Sequence, residues 1–190
     1  MTVLQLDRGK AEPLAEALRR LPPWSWARLS DATFAERVRS KYRDAAQHWS
    51  PIANLVLCGP TGVGKTAAAI ATCKRLAFEA LKDDALYKAI LGLRWVDSSE
   101  LALARREHPL GHGEAPLVRM ASHCPLLVLD DLGNELDTPE GRDSIWRVLA
   151  ERYAHQRVSI ITVGLSPRAA RARYGDALWR RMTERGDVIS

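Results

Sequence analysis

Several features of membrane proteins and secreted proteins are absent from the sequence. No stretch approaches the roughly 18 consecutive apolar residues of a membrane-spanning helix, and residues 1–8 have no apolar core of the signal-peptide kind. Cysteine is rare, and the three copies, Cys58, Cys73 and Cys124, lack the spacing of a metal site. We therefore expect free thiols in a reducing compartment, a cytoplasmic location and no membrane partner.

The sequence also has no internal repeat and no low-complexity tract. Its 190 residues suit one domain with a single sheet-based core. Basic residues outnumber acidic ones by 28 to 23, which gives a net charge of +5. This excess is compatible with a nucleic-acid partner without identifying one. A group of arginines near the C-terminus comprises Arg168, Arg171, Arg173 and Arg180. A position in contact with DNA phosphates and a solvated or intersubunit position are both open for these arginines.

Residues 59–66 carry the pattern of a phosphate-binding P-loop. Glycine lets the backbone pass close to a polyphosphate and direct its N–H groups inward. Lys65 can reach the β- and γ-phosphates, and the Thr66 hydroxyl can hold Mg²⁺. An apolar run over residues 52–58 predicts a buried strand before the loop, and residues 66–72 predict a helix after it. The predicted nucleotide-binding residues are therefore Gly59, Pro60, Thr61, Gly62, Val63, Gly64, Lys65 and Thr66.

Strand and helix patterns alternate along the rest of the chain. Helical patterns include one over residues 34–49 that Asp31 or Thr33 can cap, and one through Arg106 that Ser98 or Ser99 can cap. Glycines and a proline predict a mobile loop over residues 108–114. Continuous apolar runs indicate strands of a parallel sheet rather than half-exposed ones, and they occupy residues 93–97, 126–129, 158–163 and 188–189. We therefore expect an α/β fold, a parallel sheet with helices on both faces.

Two carboxylates follow the predicted strand at residues 126–129. Asp130 and Asp131 emerge at its carboxyl end, where ligands bind in open α/β sheets. Asp130 can hold Mg²⁺ directly or through water, and Asp131 can orient or deprotonate an attacking water. An apolar run that ends in two aspartates is common by itself, but here it follows a P-loop in an alternating α/β pattern. We interpret the pair as the second half of an ATPase site.

The sequence resembles the AAA+ ATPases of the bacterial replicative helicase loader and the closely similar ATPase subunit of IS21-type transposons. The resemblance covers about residues 22–189, with the segments in the right order. The form Asp-Asp-Leu-Gly at residues 130–133 is characteristic of this branch. The matching segments are residues 29–34, 59–66, 127–133, 151–153, 160–162, 165–167, 174–176 and 181–186.

The resemblance implies a P-loop NTPase fold of the AAA+ type. A short helical N-terminal extension would occupy residues 1–50, and the ATPase domain would occupy residues 51–190. Because the sequence stops at Ser190, where a last strand or lid would follow, we expect little or no C-terminal lid. The family's N-terminal region is longer than the segment here, so its binding to a helicase does not carry over.

The resemblance also implies the cofactors ATP and Mg²⁺, with Thr66 and Asp130 as metal ligands and Asp131 as the catalytic carboxylate. It implies that Arg181, with the adjacent Arg180 as an alternative, is an arginine finger that acts on the γ-phosphate of a neighbouring subunit. The expected partners are further copies of the chain in a head-to-tail oligomer, single-stranded or duplex DNA, and a replicative helicase or a transposase.

One departure from the family concerns hydrolysis. The family's strand usually ends in Thr-Thr-Asn or Thr-Ser-Asn, whereas this sequence has Thr162, Val163 and Gly164. Thr162 can still reach the γ-phosphate or the water as a catalytic residue, but the amide that would position the water is missing. Three functions therefore remain open: a slow ATPase that assembles on DNA, a non-hydrolysing ATP-gated interaction module and a small P-loop kinase. An arginine-rich lid with a substrate pocket, which a kinase needs, is not apparent.

Overall fold

The computed structural model describes residues 8–109 and 111–190. Residues 1–7, where we expected no signal-peptide core, and residue 110 of the predicted loop lie outside the described residues. Within them the strands are β1 (Asn54–Cys58), β2 (Arg94–Asp97), β3 (Leu126–Leu132), β4 (Val158–Val163) and β5 (Gly186–Ile189). The helices are α1 (Arg8–Leu18), α2 (Ala32–Arg37), α3 (Ser40–His48), α4 (Lys65–Glu79), α5 (Asp84–Leu91), α6 (Ser98–Glu107), α7 (Pro116–His123), α8 (Pro139–Ala154) and α9 (Pro167–Thr183). None of these helices is long and apolar enough to span a membrane.

The strands form one parallel sheet in the order β2-β3-β4-β1-β5. β4 therefore lies between β1 and β3, and Leu57 of β1 is paired with Thr162 while Leu129 of β3 is paired with Ile161. The parallel direction brings the carboxyl ends of these three strands to one edge of the sheet. The P-loop, which follows β1, and the two aspartates at the end of β3 meet at this edge.

Helices cover both faces of the sheet. Leu55 and Leu57 of β1 pack into a hydrophobic cluster with α1, α3, α4 and α5. Val56 and Cys58 pack on the opposite face into a second cluster with α6, α7, α8 and α9. All four side chains are fully buried, which explains why the strand has a continuous apolar run instead of an alternating one. The predicted α/β class with a parallel sheet is confirmed.

The single helix predicted over residues 34–49 is wrong, because the chain breaks there into α2 and α3. Val38, between them, has an extended backbone with φ −107° and ψ 125°. The Arg39 N–H donates to the Val63 carbonyl at 3.3 Å. This bend packs directly against the P-loop, and the tertiary contact overrides the local helical preference.

The structure resolves which residues cap two of the helices. Asp31, one of the two predicted candidates, caps α2, and its carboxylate accepts a hydrogen bond from the Thr33 N–H at 2.9 Å. The predicted cap of α6 at Ser98 or Ser99 is wrong. Asp97 holds that position, and its carboxylate accepts from the Ser99 N–H at 2.7 Å. A third carboxylate therefore lies at the carboxyl edge of the sheet, where Asp97 pairs in register with Asp130.

A buried arginine fixes α8 on the second face of the sheet. Arg152 is 1% exposed and has no carboxylate partner in the part of the chain that the structure describes. Its guanidinium donates to Ser159 Oγ at 2.8 Å, to the carbonyls of Ala121 at 2.9 Å and Cys124 at 2.8 Å, and to the carbonyl of Val158. These contacts join α8 to the ends of α7 and β4.

Candidate nucleotide site

The P-loop is packed on one side and open on the other. A Cβ added to Gly59 would lie 2.6 Å from the Tyr42 hydroxyl, and one added to Gly64 would lie 2.8 Å from Val38 Cα. Both glycines also have positive φ, 146° and 97°, so glycine is required at these positions. Gly62 has positive φ as well, but nothing lies within 4 Å of an added Cβ. The loop therefore rests on the bend between α2 and α3 and presents its free side at Gly62.

Lys65 opens α4 and is 6% exposed. Its Nζ donates to the carbonyls of Gly59 at 2.7 Å and Pro60 at 2.8 Å. Burial lowers the pKa of Lys65, whereas the charges of Asp131 and Asp130 act in the opposite direction. The ammonium is thus held inside the loop, where phosphate oxygens would offer stronger, charged acceptors.

Asp130 is the centre of a hydrogen-bond network that joins three elements. Its Oδ1 accepts from Thr66 Oγ1 at 3.1 Å and from Thr162 Oγ1 at 2.6 Å. The carboxylate is 8% exposed, and burial raises its pKa, although the two threonine hydrogen bonds act in the opposite direction. The network holds the predicted metal ligands Thr66 and Asp130 side by side between α4 and β4.

Thr162 lies behind the aspartates. Its hydroxyl donates to Asp130 and accepts the Asp131 N–H at 2.8 Å, and its side chain is fully buried. In this arrangement Thr162 positions both aspartates. The contact to phosphate or water that the sequence suggested for it stays a prediction.

Asp131 has an unusual backbone conformation. Its φ is 60°, and the pairing between β3 and β4 shifts register between Leu129 and Leu132. A bulge of this kind redirects the side chain that it carries, and aspartate tolerates the left-handed region better than most residues do. Asp131 lines the cavity together with Asp130.

Ligand sites typically have volumes of about 300 to 1,000 Å³, and the cavity beside the P-loop has a volume of about 610 Å³. Its lining includes Gly62, Lys65 and Thr66 with Asp130 and Asp131. Residues outside the predicted set also line it, namely Asp97 at the end of β2 and Pro22, Trp24, Trp26 and Arg37 from the N-terminal segment. The position of Asp97 at a strand end was a usable signal in the sequence, whereas the approach of the N-terminal segment depends on tertiary packing.

Arg181 is the predicted site residue that lies apart from the others. Its guanidinium carbon is 4.2 Å from the centroid of the Trp146 ring and 5.9 Å from that of Tyr153. Its Nη1 donates to the Ala177 carbonyl at 2.9 Å. Arg180 is more exposed, and its Nε lies 3.6 Å from a carboxylate oxygen of Glu184. Neither arginine lines the cavity beside the P-loop.

The residues present suit a nucleoside triphosphate with Mg²⁺. The open space at Gly62 leaves room for phosphates, and Lys65 supplies a positive charge. Thr66 and Asp130 offer two adjacent oxygen ligands, while no cluster of three or more metal-binding side chains occurs in residues 8–109 and 111–190. Mg²⁺ is usually held in this way, by one or two protein ligands together with phosphate oxygens and water.

We expect Asp130→Asn to stabilise the nucleotide-free protein. Since burial raises the pKa of Asp130 in the folded state, its ionised form opposes folding at neutral pH. The amide can still accept both threonine hydrogen bonds, so the melting temperature should rise by about 2 to 4 °C. The gain should be absent below about pH 4, where the carboxyl group is protonated in both states, and should develop as the pH rises.

Thermal melting across pH tests this prediction, with the exposed Asp44→Asn as the matched control. The Asp130→Asn variant should also lose the additional stabilisation that Mg²⁺ gives in the presence of ATP. A lower melting temperature at neutral pH would contradict the prediction, because it would mean that the ionised carboxylate is favoured in the folded protein.

Comparisons with known proteins agree with the nucleotide site that the geometry indicates. The sequence model of the family described as "IstB-like ATP binding protein" matches residues 44–184. An insertion-sequence ATP-binding protein of Sinorhizobium fredii, y4pL, is 36% identical over 144 residues, which are 72% of this chain and 53% of that protein. The chain thus spans about half the length of the curated relative that it matches.

Among solved structures, the chain is similar to the DnaC helicase loader, with a TM-score of 0.61 and 25% identity over 85% of this chain and 94% of that one. It is also similar to DnaI, with a TM-score of 0.60 and 21% identity over 92% of both chains; this second likeness concerns the fold alone. The resemblance to helicase loaders and to ATP-binding proteins of insertion sequences is confirmed.

Proposed function

The chain belongs to the IstB-like ATP binding protein family, and from that premise we propose that it is a slow, Mg²⁺-dependent ATPase that assembles head to tail on DNA. ATP binds at the P-loop of one subunit, and an arginine from the next subunit completes the catalytic site. The assembly then passes its nucleotide state to a partner protein, a replicative helicase or a transposase.

The observation that carries the proposal is the network of Thr66, Asp130, Thr162 and Asp131 at the edge of the sheet. Thr66 and Asp130 are the oxygen ligands for Mg²⁺, which neutralises phosphate charge when it is bound. Asp131 is next to them and accepts the proton of the attacking water. Because Thr162 hydrogen-bonds the carboxylate of Asp130 and the backbone N–H of Asp131, it joins the metal ligand to the backbone that carries the base.

We expect slow hydrolysis because neither position 164 nor Thr162, both near Asp131, offers a free group to hold the attacking water. Position 164, at the end of β4, carries no side chain that could hold a water against the γ-phosphate. Thr162 is fully buried and already uses its hydroxyl for the two aspartates. Turnover should therefore depend on a group from outside the subunit, and an arginine finger is such a group.

Assembly and DNA binding are proposed from the positions of the arginines and from the relatives. Arg180 and Arg181 lie outside the cavity of their own subunit, which fits a role at the site of a neighbour. Arg168, Arg171 and Arg180 are exposed along α9, where they can contact phosphates. The relatives are described as a helicase loader and as an insertion-sequence protein, and both descriptions concern DNA transactions.

ATP turnover by the purified protein tests the proposal, measured with and without single-stranded and duplex DNA over a series of protein concentrations. Lys65→Ala serves as the blank, because it removes the ammonium that the loop holds for phosphate. We expect turnover per subunit to rise with protein concentration and with DNA, and to vanish in the blank. Turnover that persists in Lys65→Ala would come from a contaminant and would leave the proposal without support.

A second candidate function is a non-hydrolysing, ATP-gated interaction module. The buried Thr162 and the bare position at Gly164 favour it, because ATP could then act as an assembly switch without being consumed. Tight ATP binding together with no turnover under any DNA or concentration condition would establish this alternative and rule out the ATPase.

A further inference from the structure

The Asp131 carboxylate has a partner from the turn that follows β3. Asn134 Nδ2 donates to Asp131 Oδ2 at 2.5 Å, and the Asn134 backbone N–H donates to the Asp131 carbonyl at 3.2 Å. No hydrogen bond to the other oxygen, Oδ1, occurs among the residues that the structure describes. The carboxylate is therefore held at one oxygen and free at the other.

The end of β4 lies beside this free oxygen. A Cβ added to Gly164 would lie 3.7 Å from Asp131 Oδ1 and 3.9 Å from Asn134 Oδ1. Both are ordinary van der Waals distances, and Gly164 is not among the glycines with positive φ. A side chain at position 164 would therefore fit and would reach the same carboxylate that Asn134 holds from the other side.

The turn that carries Asn134 is fixed by a buried glutamate. Glu135 is 4% exposed, and its Oε2 accepts the Gly133 N–H at 2.7 Å. Its Oε1 accepts from Arg173 Nη2 at 2.9 Å and from the Tyr174 hydroxyl. These contacts anchor the turn to α9, so that Asn134 is presented to Asp131 from a constrained backbone.

We propose that Asn134 is the positioning residue for Asp131. This inference rests on the proposed ATPase function. By holding Oδ2, the amide fixes the plane of the carboxylate and leaves Oδ1 to accept the proton from the attacking water. A neutral amide orients the carboxylate without cancelling its charge, as a cationic partner would. The amide that orients the base thus comes from the β3–α8 turn, while position 164 still has no side chain to hold the water.

A rescue experiment tests the proposal, with kcat and KM for ATP measured at saturating DNA. Asn134→Ala should lower kcat about 10-fold, the lower end of the loss seen when a hydrogen-bond partner that orients a metal ligand is removed. The KM for ATP should change by less than about twofold, because Asn134 orients the base and does not bind phosphate. Adding Gly164→Asn to Asn134→Ala should return kcat to within about threefold of the wild type. The new amide would face Oδ1, and Oδ2, released by the loss of Asn134, would then accept the proton.

The control is Leu136→Ala, an exposed residue of the same turn that should leave kcat unchanged. An active wild type with an unaffected Asn134→Ala variant would overturn this inference alone. A loss that Gly164→Asn does not restore would also overturn it, because the loss would then come from the turn and not from the amide. A wild type that binds ATP without turning it over would overturn the proposed ATPase and this inference together.

Discussion

ATP turnover by an Arg181→Ala variant is expected to fall about 1,000-fold, while the affinity of each subunit for ATP stays unchanged. The Arg181 guanidinium is stacked on Trp146, 4.2 Å from the ring centroid, and lies away from the cavity of its own subunit. It can therefore act on ATP only in a neighbouring subunit, where its charge would stabilise the transition state. ATP affinity from a binding titration and turnover at concentrations that support assembly separate the two effects.

Mixing variants gives the sharper form of this test. Lys65→Ala has a defective P-loop but an intact arginine, whereas Arg181→Ala has the reverse, so each should be inactive alone. Combined, they should regain turnover at about one quarter of the interfaces if subunits mix at random. Arg180→Ala is the matched control, because it removes the adjacent and more exposed arginine. A loss in Arg180→Ala but not in Arg181→Ala would assign the finger to Arg180, and no recovery on mixing would argue against a finger supplied by a neighbour.

Local sequence patterns predicted the sheet and the P-loop well, and the reason is visible in β1. Its residues 55–58 are all fully buried because helices cover both faces of the sheet. A continuous apolar run is therefore a direct indication of a parallel sheet. The spacing of glycines, lysine and threonine in the P-loop is likewise set by backbone geometry within a few residues. Such features need no information from distant parts of the chain.

Contacts between distant segments account for what the sequence did not predict. Val38 has an ordinary helical context, and α2 ends before it because this bend packs on Gly64 and hydrogen-bonds Val63. The sequence places Asp131 at a strand end but does not disclose the positive φ and the bulge that aim its side chain. Asn134 contacts Asp131, only three residues before it, but its position beside Gly164, 30 residues further along the chain, depends on the packing of β4.

Asp131→Asn is expected to lower ATP turnover about 100-fold or more, with ATP binding retained. The exchange is chosen because Asp131 has φ 60°. Asparagine tolerates this left-handed conformation, whereas alanine would add backbone strain. The variant therefore removes the carboxylate's capacity to accept a proton and leaves the bulge, the Thr162 contact and the metal ligand Asp130 in place.

Asp97→Asn provides the matched control for this prediction. It makes the same chemical exchange in the same cavity, at the end of the neighbouring strand β2. Asparagine can still cap α6, so turnover should stay near that of the wild type. Equal losses in both variants would mean that negative charge in the cavity matters more than a base at position 131. Normal turnover in Asp131→Asn would remove Asp131 from the reaction. A large loss confined to Asp131→Asn, with ATP still bound, is the result that a general base at the end of β3 requires, because Asp97→Asn removes the same charge from the same cavity.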